Sequence, residues 1–448
     1  MKIKSILLLM ASPLFSVAQQ NIKLITLDPG HFHAALIQKS MYPQVDPAVH
    51  VYAEASRDLD LHMERIAGYN KRTAEPTTWQ QQVYTGKDFF QKMLDEKKGN
   101  VVVLAGNNRL KTDYILTSVS KGFNVFADKP MAIDTKGFEK LKKAFAVAQK
   151  SNVQLYDIMT ERYEITTMLQ RAFSMQPDLF GTLEKGSPED PSVTKISVHH
   201  FYKYVSGSVL TRPSWFFDAS QQGAGIVDVT THLVDLIQWE CFPEQVIDYK
   251  KNIKILNTRS WTTPVSASEF TTVTKESVPA YFKPITDAAG NIQVNCNGEF
   301  TYAINGVHAK VSVVWNYKAP EGTGDTHYSL MRGTNASLII RQGKEENFKP
   351  TLYIEPRSAS ANIEQKLNAA LAEVSKAFPG ITAVKIDKGW MIKVPEKYND
   401  GHEAHFAQVT KKYLDYLQNK NMPVWEVPNM IAKYYTTTTA KEMADKKQ

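Results

Sequence analysis

Apolar and polar positions follow two periods along this chain, and the order in which the periods change predicts how it is organised. The first part carries short runs of β-forming apolar residues: IKLITL (22–27), VHVYAEAS (49–56), VVVLAG (101–106) and NVFAD (124–128). Such runs suit strands buried on both faces, as in a parallel sheet. Segments of helical period lie between or after them, among them AALIQKSM (34–41) and KGFEKLKKAFAVAQKS (136–151). A short strand and a helix are expected within VYTGKDFFQKML (83–94), and VQLYDIMTERY (153–163) reads as a strand ending at Arg162. Alternating strand and helix predict an α/β unit with a doubly wound parallel sheet over residues 21–158.

Beyond residue 158 the pattern changes. TMLQRAF (167–173) has helical period, and TKISVHHFYKY (194–204) alternates, with Ile196, Val198 and His200 on one face and Ser197, His199 and Phe201 on the other. Alternating runs return at 246–256, 299–317 and 327–343, with Asn-Gly and Gly-Thr-Asn turns. They predict a C-terminal α+β domain, 159–448, with a large, mostly antiparallel open-faced sheet. Residues 257–290, rich in Thr, Ser and Pro, read as a long loop. TLYIEP, a helix over 362–377, ITAVKID and WMIKVP form an additional α/β unit, and the last helix is expected to pack back across both domains.

The first 18 residues, MKIKSILLLMASPLFSVA, have a basic start, an apolar core and a small-residue end, the pattern of a cleaved secretory leader. No cysteine follows the cut to carry a lipid, so a periplasmic or secreted protein is expected, with no membrane span. Without the leader's Lys2 and Lys4, the formal charge of +7 becomes +5, too diffuse for a nucleic-acid partner. Export permits a disulfide between Cys241 and Cys296, but two cysteines make no framework, and pairing stays open.

The candidate chemistry sits in two stretches. In GAGIVDVTTHLVDLIQW (223–239), Asp228, His232 and Asp235 form a polar stripe at i, i+4 and i+7, opposite Ile226, Val229, Leu233, Leu236 and Ile237. Gly223 and Gly225 would let a ligand approach the front of this helix. The stripe could also be a solvated acidic face. The second stretch is Asp128-Lys129-Pro130 at the carboxyl end of NVFAD, where open α/β sheets bind ligands.

Taken together, Asn108 after the fourth strand, Asp-Lys-Pro after the fifth and Asp228-x-x-x-His232 downstream resemble the Gfo/Idh/MocA family of oxidoreductases over nearly the whole mature chain. The resemblance implies a Rossmann domain that binds NAD through Gly30, His31, His33, Glu54, Asn108, Lys129 and Pro130. It also implies catalysis by Lys129, Asp228 and His232. Two positions depart from the pattern. The glycine motif reads Asp28-Pro29-Gly30-His31-Phe32-His33, with only the middle glycine kept, and Lys111 stands near a position where relatives commonly have histidine. Either His31 or His33 replaces the lost phosphate contacts, or the dinucleotide sits differently, or the domain is empty. Glu54, 24 residues after Gly30, would bond an adenosine ribose and favour NAD over NADP, although Ser56 and Arg57 could receive a 2′-phosphate.

In this reading His232 is the base, because imidazole titrates near working pH, Lys129 stabilises the reacting oxygen and Asp228 orients the substrate. The roles of Asp228 and His232 could also be exchanged. Arg162, Lys203, Trp215 and His327 are the candidate substrate-binding residues, although Trp215 could equally be core. His402-x-x-His405 could hold a metal, but no third ligand is evident, so no metal is expected. The expected partners are a small carbohydrate and a second copy of the chain joined through the C-terminal sheet. The expected reaction is oxidation of a sugar or glycoside ring hydroxyl at C3. The alternatives are a glycosidase working by transient C3 oxidation and elimination, and a sugar-binding protein without catalysis.

Overall fold

The computed structural model describes residues 22–205, 208–357 and 362–447, so the leader expected over 1–18 lies outside the described residues. Six parallel strands make the N-terminal sheet: β1 (Leu24–Leu27), β2 (Ala48–Tyr52), β3 (Gln80–Tyr84), β4 (Val101–Leu104), β5 (Asn124–Asp128) and β6 (Leu155–Ile158). Their order, β3-β2-β1-β4-β5-β6, reverses direction beside β1 and opens a crevice at the carboxyl ends of β1 and β4. Every residue of β1 and β4 is buried, because helices cover both faces. The first helix is shorter than the sequence pattern suggests, running only from His33 to Ile37.

Among the described residues the second sheet has nine strands. In spatial order they are Ile253–Val265, Ile292–Ile304, Val307–Lys318, Val193–Tyr202, Thr326–Arg332, Ala336–Arg341, Thr351–Pro356, Gly389–Lys393 and Thr382–Ile386. Among the described residues of this sheet, only Val307–Lys318 and Val193–Tyr202 pair in parallel. The Asn305-Gly306 turn, with both residues at positive φ, closes the hairpin that the sequence predicts. The expected loop over 257–290 is instead largely ordered structure. Its beginning belongs to the edge strand Ile253–Val265, followed by a helix at Ala267–Thr274 with a Ser266/Glu269 capping box. Among the described residues no helix is long and apolar enough to cross a membrane. Both cysteines are free.

The C-terminal helices His402–Asn419 and Glu426–Asp445 return to the first domain. Phe406, Tyr413 and Met430 join its core, and the Tyr413 ring stacks on Phe126 with centroids 4.4 Å apart. A buried ion network ties the domains together. Arg162 donates to both oxygens of Asp235 at 2.7 and 2.8 Å and to Glu426 at 3.1 Å. Lys433 bridges Asp235 at 2.8 Å and Asp157 at 2.7 Å, and the Tyr434 hydroxyl donates to Asp157 at 2.9 Å. Each buried charge is matched here, so removing one partner leaves another uncompensated. This network holds the β6 end, the Thr230–Cys241 helix and the last helix in register around the crevice.

Candidate functional site

The peptide between Lys129 and Pro130, just beyond β5, is cis. The Lys129 ammonium donates to Asp228 Oδ1 at 2.5 Å, with both side chains buried. Asp228 lies in the turn before the Thr230–Cys241 helix, and His232 lies in that helix's first turn. The polar stripe is no solvated face, since Asp228, His232 and Asp235 are all buried. Asp235 points away from the other two, into the Arg162 and Lys433 network. The two glycines also serve differently from expectation. A β-carbon on Gly225 would lie 1.8 Å from the Cys296 carbonyl oxygen, and one on Gly223 would lie 2.9 Å from Ile133. They allow backbone and side-chain packing ahead of the helix.

His232 Nδ1 is buried and has no hydrogen-bond partner among the described residues. Burial pushes its pKa down to about 3, with Glu161 opposing the fall and Lys129 and His402 adding to it. Imidazole is therefore neutral here throughout the working range, and not near its titration point as the sequence suggests. Glu161 lies beyond β6, 3.3 Å from His402 Nδ1. Burial would raise its pKa, yet the histidines around it, His402 first, hold it well below the ordinary carboxylate range.

A cleft passes over Gly30, lined by His31, Asp58, Arg65, Arg212 and Phe216. A second opening shares Phe216 and reaches Asp228, Gln222 and Trp315. Gly30 packs close to Gly106, where a β-carbon would meet the Asp28 carbonyl oxygen at 2.1 Å. The Gly30 and His31 amides donate to the Ala105 carbonyl at 3.2 and 3.0 Å. Glu54 is exposed just past β2. Asn108 donates to the Gln222 carbonyl at 2.7 Å, and its buried Oδ1 has no partner among the described residues. The free acceptor of Asn108, the Lys129 ammonium, Gly30 with no side chain at the cleft and the Glu54 carboxylate are a donor and acceptor set that fits a dinucleotide. Arg57 is committed elsewhere, donating to the Thr274 carbonyl at 2.8 Å, and Ser56 caps its own helix.

The candidate substrate residues are not all brought together. Arg162 lies in the interdomain network, not at a ligand, because a guanidinium in this place balances Asp235 and Glu426. Trp215 donates to Asp58 at 2.8 Å, with its ring against Gly30, so it stands at the nucleotide cradle. Lys203 grips Asp325 at 2.8 Å, together with His200 at 3.0 Å and His199 at 3.3 Å. His327 Nε2 is buried without a partner among the described residues, and burial pushes its pKa down to about 3. Three residues of the site were given no role by the sequence. Lys111 is buried, donates to the Asp128 carbonyl at 3.1 Å and is pushed down to about 8 by burial. Arg212 stacks over Phe216 and Trp315 and donates to the Phe201 carbonyl at 2.7 Å. Asp128 accepts from His33 at 3.0 Å. Asp128 was visible within the Asp-Lys-Pro motif, whereas Arg212 has no local sequence signal.

Residues 45–157 match the model of the Gfo/Idh/MocA oxidoreductase family, NAD-binding Rossmann fold. Residues 169–445 match the one described as “Putative oxidoreductase C terminal domain”. No curated protein is significantly similar to the chain. Among solved structures, one described as a “putative oxidoreductase” from Parabacteroides merdae is 52% identical, with 97% of this chain and 100% of that chain covered and a TM-score of 0.94. Levoglucosan dehydrogenase in complex with NADH and levoglucosan is 13% identical, covering 96% and 98%, with a TM-score of 0.58. GenD2 from gentamicin A biosynthesis, in complex with NAD, is 15% identical, covering 98% of each chain, with a TM-score of 0.55. At such identities these last two share the fold. The family matches and the 52% identity over nearly the whole chain together place this chain in the Gfo/Idh/MocA family of oxidoreductases, with an NAD-binding Rossmann domain.

Proposed function

We propose that this protein oxidises a ring hydroxyl of a sugar or glycoside, at C3 of a glucoside-type glycoside or disaccharide. The observation that carries the reading is the buried Lys129–Asp228 pair with the unpartnered His232 Nδ1 on the neighbouring helix. Bound NAD supplies acceptance of a hydride, and Gly30, Glu54, Asn108 and Lys129-Pro130 would hold it. Lys129 then donates to the reacting oxygen and stabilises the negative charge that develops there. Asp228 keeps that ammonium aimed and charged. Neutral His232 offers a lone pair to the hydroxyl proton, and the Glu161 carboxylate favours the imidazolium that forms.

A sugar suits the surroundings, since Phe216, Trp315 and Arg212 provide flat faces and donors near Asp228. Levoglucosan dehydrogenase, of the same fold, was crystallised with a sugar derivative. The leader over 1–18 supports an exported enzyme, which would meet no maintained nicotinamide pool, so the cofactor stays bound and is recycled by a second substrate. Association of two copies through the large sheet belongs to the same reading.

Cleavage of the glycoside in the same site is the second reading. It needs another base for the C2 proton, and the Glu161 carboxylate, kept ionised by the histidines around it with His232 among them, is the group that favours it. Incubation with glucosides and disaccharides, with a 3-keto sugar as acceptor, separates the two. A 3-keto glycoside with an intact anomeric bond is expected. Free sugar formed without an acceptor would indicate cleavage, and no product across a broad panel with NAD bound would remove the sugar assignment. Absence of NAD from the denatured protein, together with failure to bind it, would favour a non-catalytic sugar-binding protein.

A further inference from the structure

His31 and His33 stand in the altered phosphate loop, His33 in place of its last glycine, and the fold brings both onto Asp128, at the end of β5. His33 Nδ1 lies 3.0 Å from Asp128 Oδ2, and His31 Nδ1 lies 3.7 Å from the same oxygen. The three ligand atoms all fall within 4.8 Å of one another. A tetrahedral ion bonded at about 2.0–2.1 Å sets its ligand atoms roughly 3.3 Å apart, between the two measured separations. Among the described residues, no other group of three or more His, Cys, Asp or Glu side chains converges in this way.

The Asp128 carboxylate is buried, and neither nearby lysine hydrogen-bonds its side-chain oxygens, Lys111 acting on it only through space. Lys129 donates to Asp228, and Lys111 donates to the main-chain carbonyl of Asp128. A buried carboxylate without a matched cation is costly. Here the side-chain oxygen meets only the two imidazoles.

We propose that His31, His33 and Asp128 bind one divalent transition-metal ion. Two imidazoles and one carboxylate suit the zinc, cobalt(II) and iron(II) class, because calcium and magnesium require oxygen ligands. His31 lines the cleft over Gly30, so the remaining coordination position opens on that cleft, to water or to a ligand oxygen. The sequence expectation of no metal rested on His402 and His405. The triad is assembled from a loop and a strand end 95 residues apart in sequence, which local spacing does not reveal.

The test uses purified full-length protein, stripped with a chelator and titrated with cobalt(II) and then zinc(II). Calorimetry gives stoichiometry, and the visible absorption of bound cobalt gives its geometry. One ion per chain with a tetrahedral cobalt spectrum is expected. His31→Ala and His33→Ala should each weaken binding by about 100-fold or more, above the usual loss for a residue that merely supports a ligand. His31 is partly exposed, so its variant remains informative if the His33 variant misfolds. His402→Ala should bind as wild type does. The proposal is overturned if the wild type binds neither ion, if both triad variants bind unchanged, or if His402→Ala removes the site.

Discussion

Lys129 and Asp228 stand 99 residues apart in the chain, and their charged groups meet at 2.5 Å inside the crevice. Lys129 follows a strand of the first domain, and Asp228 opens a helix of the second, so the pair spans the two halves of the site. Lys129→Ala, Asp228→Asn and His232→Ala should each lower turnover roughly 10²-fold or more, the scale of a lost acid–base or charge-stabilising group. NAD binding should survive in the latter two, as judged by nucleotide titration. Near-wild-type turnover in His232→Ala would remove it from the proton path. Because burial keeps this imidazole neutral, the rate should show no inflection near 6.5 from His232.

Arg162 is expected to act on stability and not on substrate. Its guanidinium balances Asp235 and Glu426, all three buried. Arg162→Met should cost about 3–5 kcal/mol in denaturant unfolding, since it strands two carboxylates. If the variant unfolds like wild type but its KM rises, the residue contacts substrate after all.

The nucleotide end predicts a preference. Asp28 is pushed up to about 6 by burial, then by Asp58 and Glu54, which marks an acidic corner. Arg57 has its own partners, the Thr274 carbonyl and Glu276. An added 2′-phosphate would meet acids, so NADP should bind roughly tenfold or more weakly than NAD, a difference of about 1.4 kcal/mol or greater. Because the Trp215 ring rests against Gly30, occupation of the cradle should change tryptophan fluorescence, and Trp215→Phe should lose most of that change. Equal affinity for the two nucleotides would contradict the assignment of the acidic corner.

Much of this architecture was legible because apolar runs and their spacing are local. The six parallel strands, the Asn305-Gly306 hairpin and the motif residues Lys129, Asp228 and His232 could all be located in the sequence. What escaped depends on distant partners. Asp235 shares a stripe with His232, yet its direction is decided by Arg162 and Lys433, 73 and 198 residues away. Residues 257–265 looked like loop because they belong to an edge strand, where only Thr258 and Val265 of this stretch are buried and Thr, Ser, Asn and Arg fill most of the rest. The shortened first helix and the His31, His33 and Asp128 cluster both follow from a loop whose glycines have been replaced.

Buried neutral histidines predict a loss of stability in mild acid. Burial pushes His62 and His232 down to about 3, and both nitrogens of His62 lack partners among the described residues. Between pH 3 and 6.5 the unfolded chain binds a proton at each that the folded chain refuses. Stability therefore rises with pH through this window and falls as pH drops below 6.5. From pH 7 to pH 5 each such group should remove about 2 kcal/mol, near the limit of 1.4 kcal/mol per pH unit. Asp28 acts in the opposite sense, because its raised pKa lets the folded state hold a proton between pH 3.8 and about 6. It offsets part of the loss. The carboxylates of Asp128 and Asp235 are held below their ordinary range and add their own loss only below about pH 4, so they leave this window alone. Urea unfolding at pH 7 and pH 5 should show a lower midpoint at pH 5 with an unchanged slope. His62 lies in the helix Arg57–Lys71, away from Lys129 and Asp228, so His62→Leu tests the assignment without disturbing the proposed chemistry. That variant should reduce the pH-dependent difference by about 2 kcal/mol, whatever its stability at pH 7. A difference unchanged by the substitution would show that His62 does not supply the proton linkage.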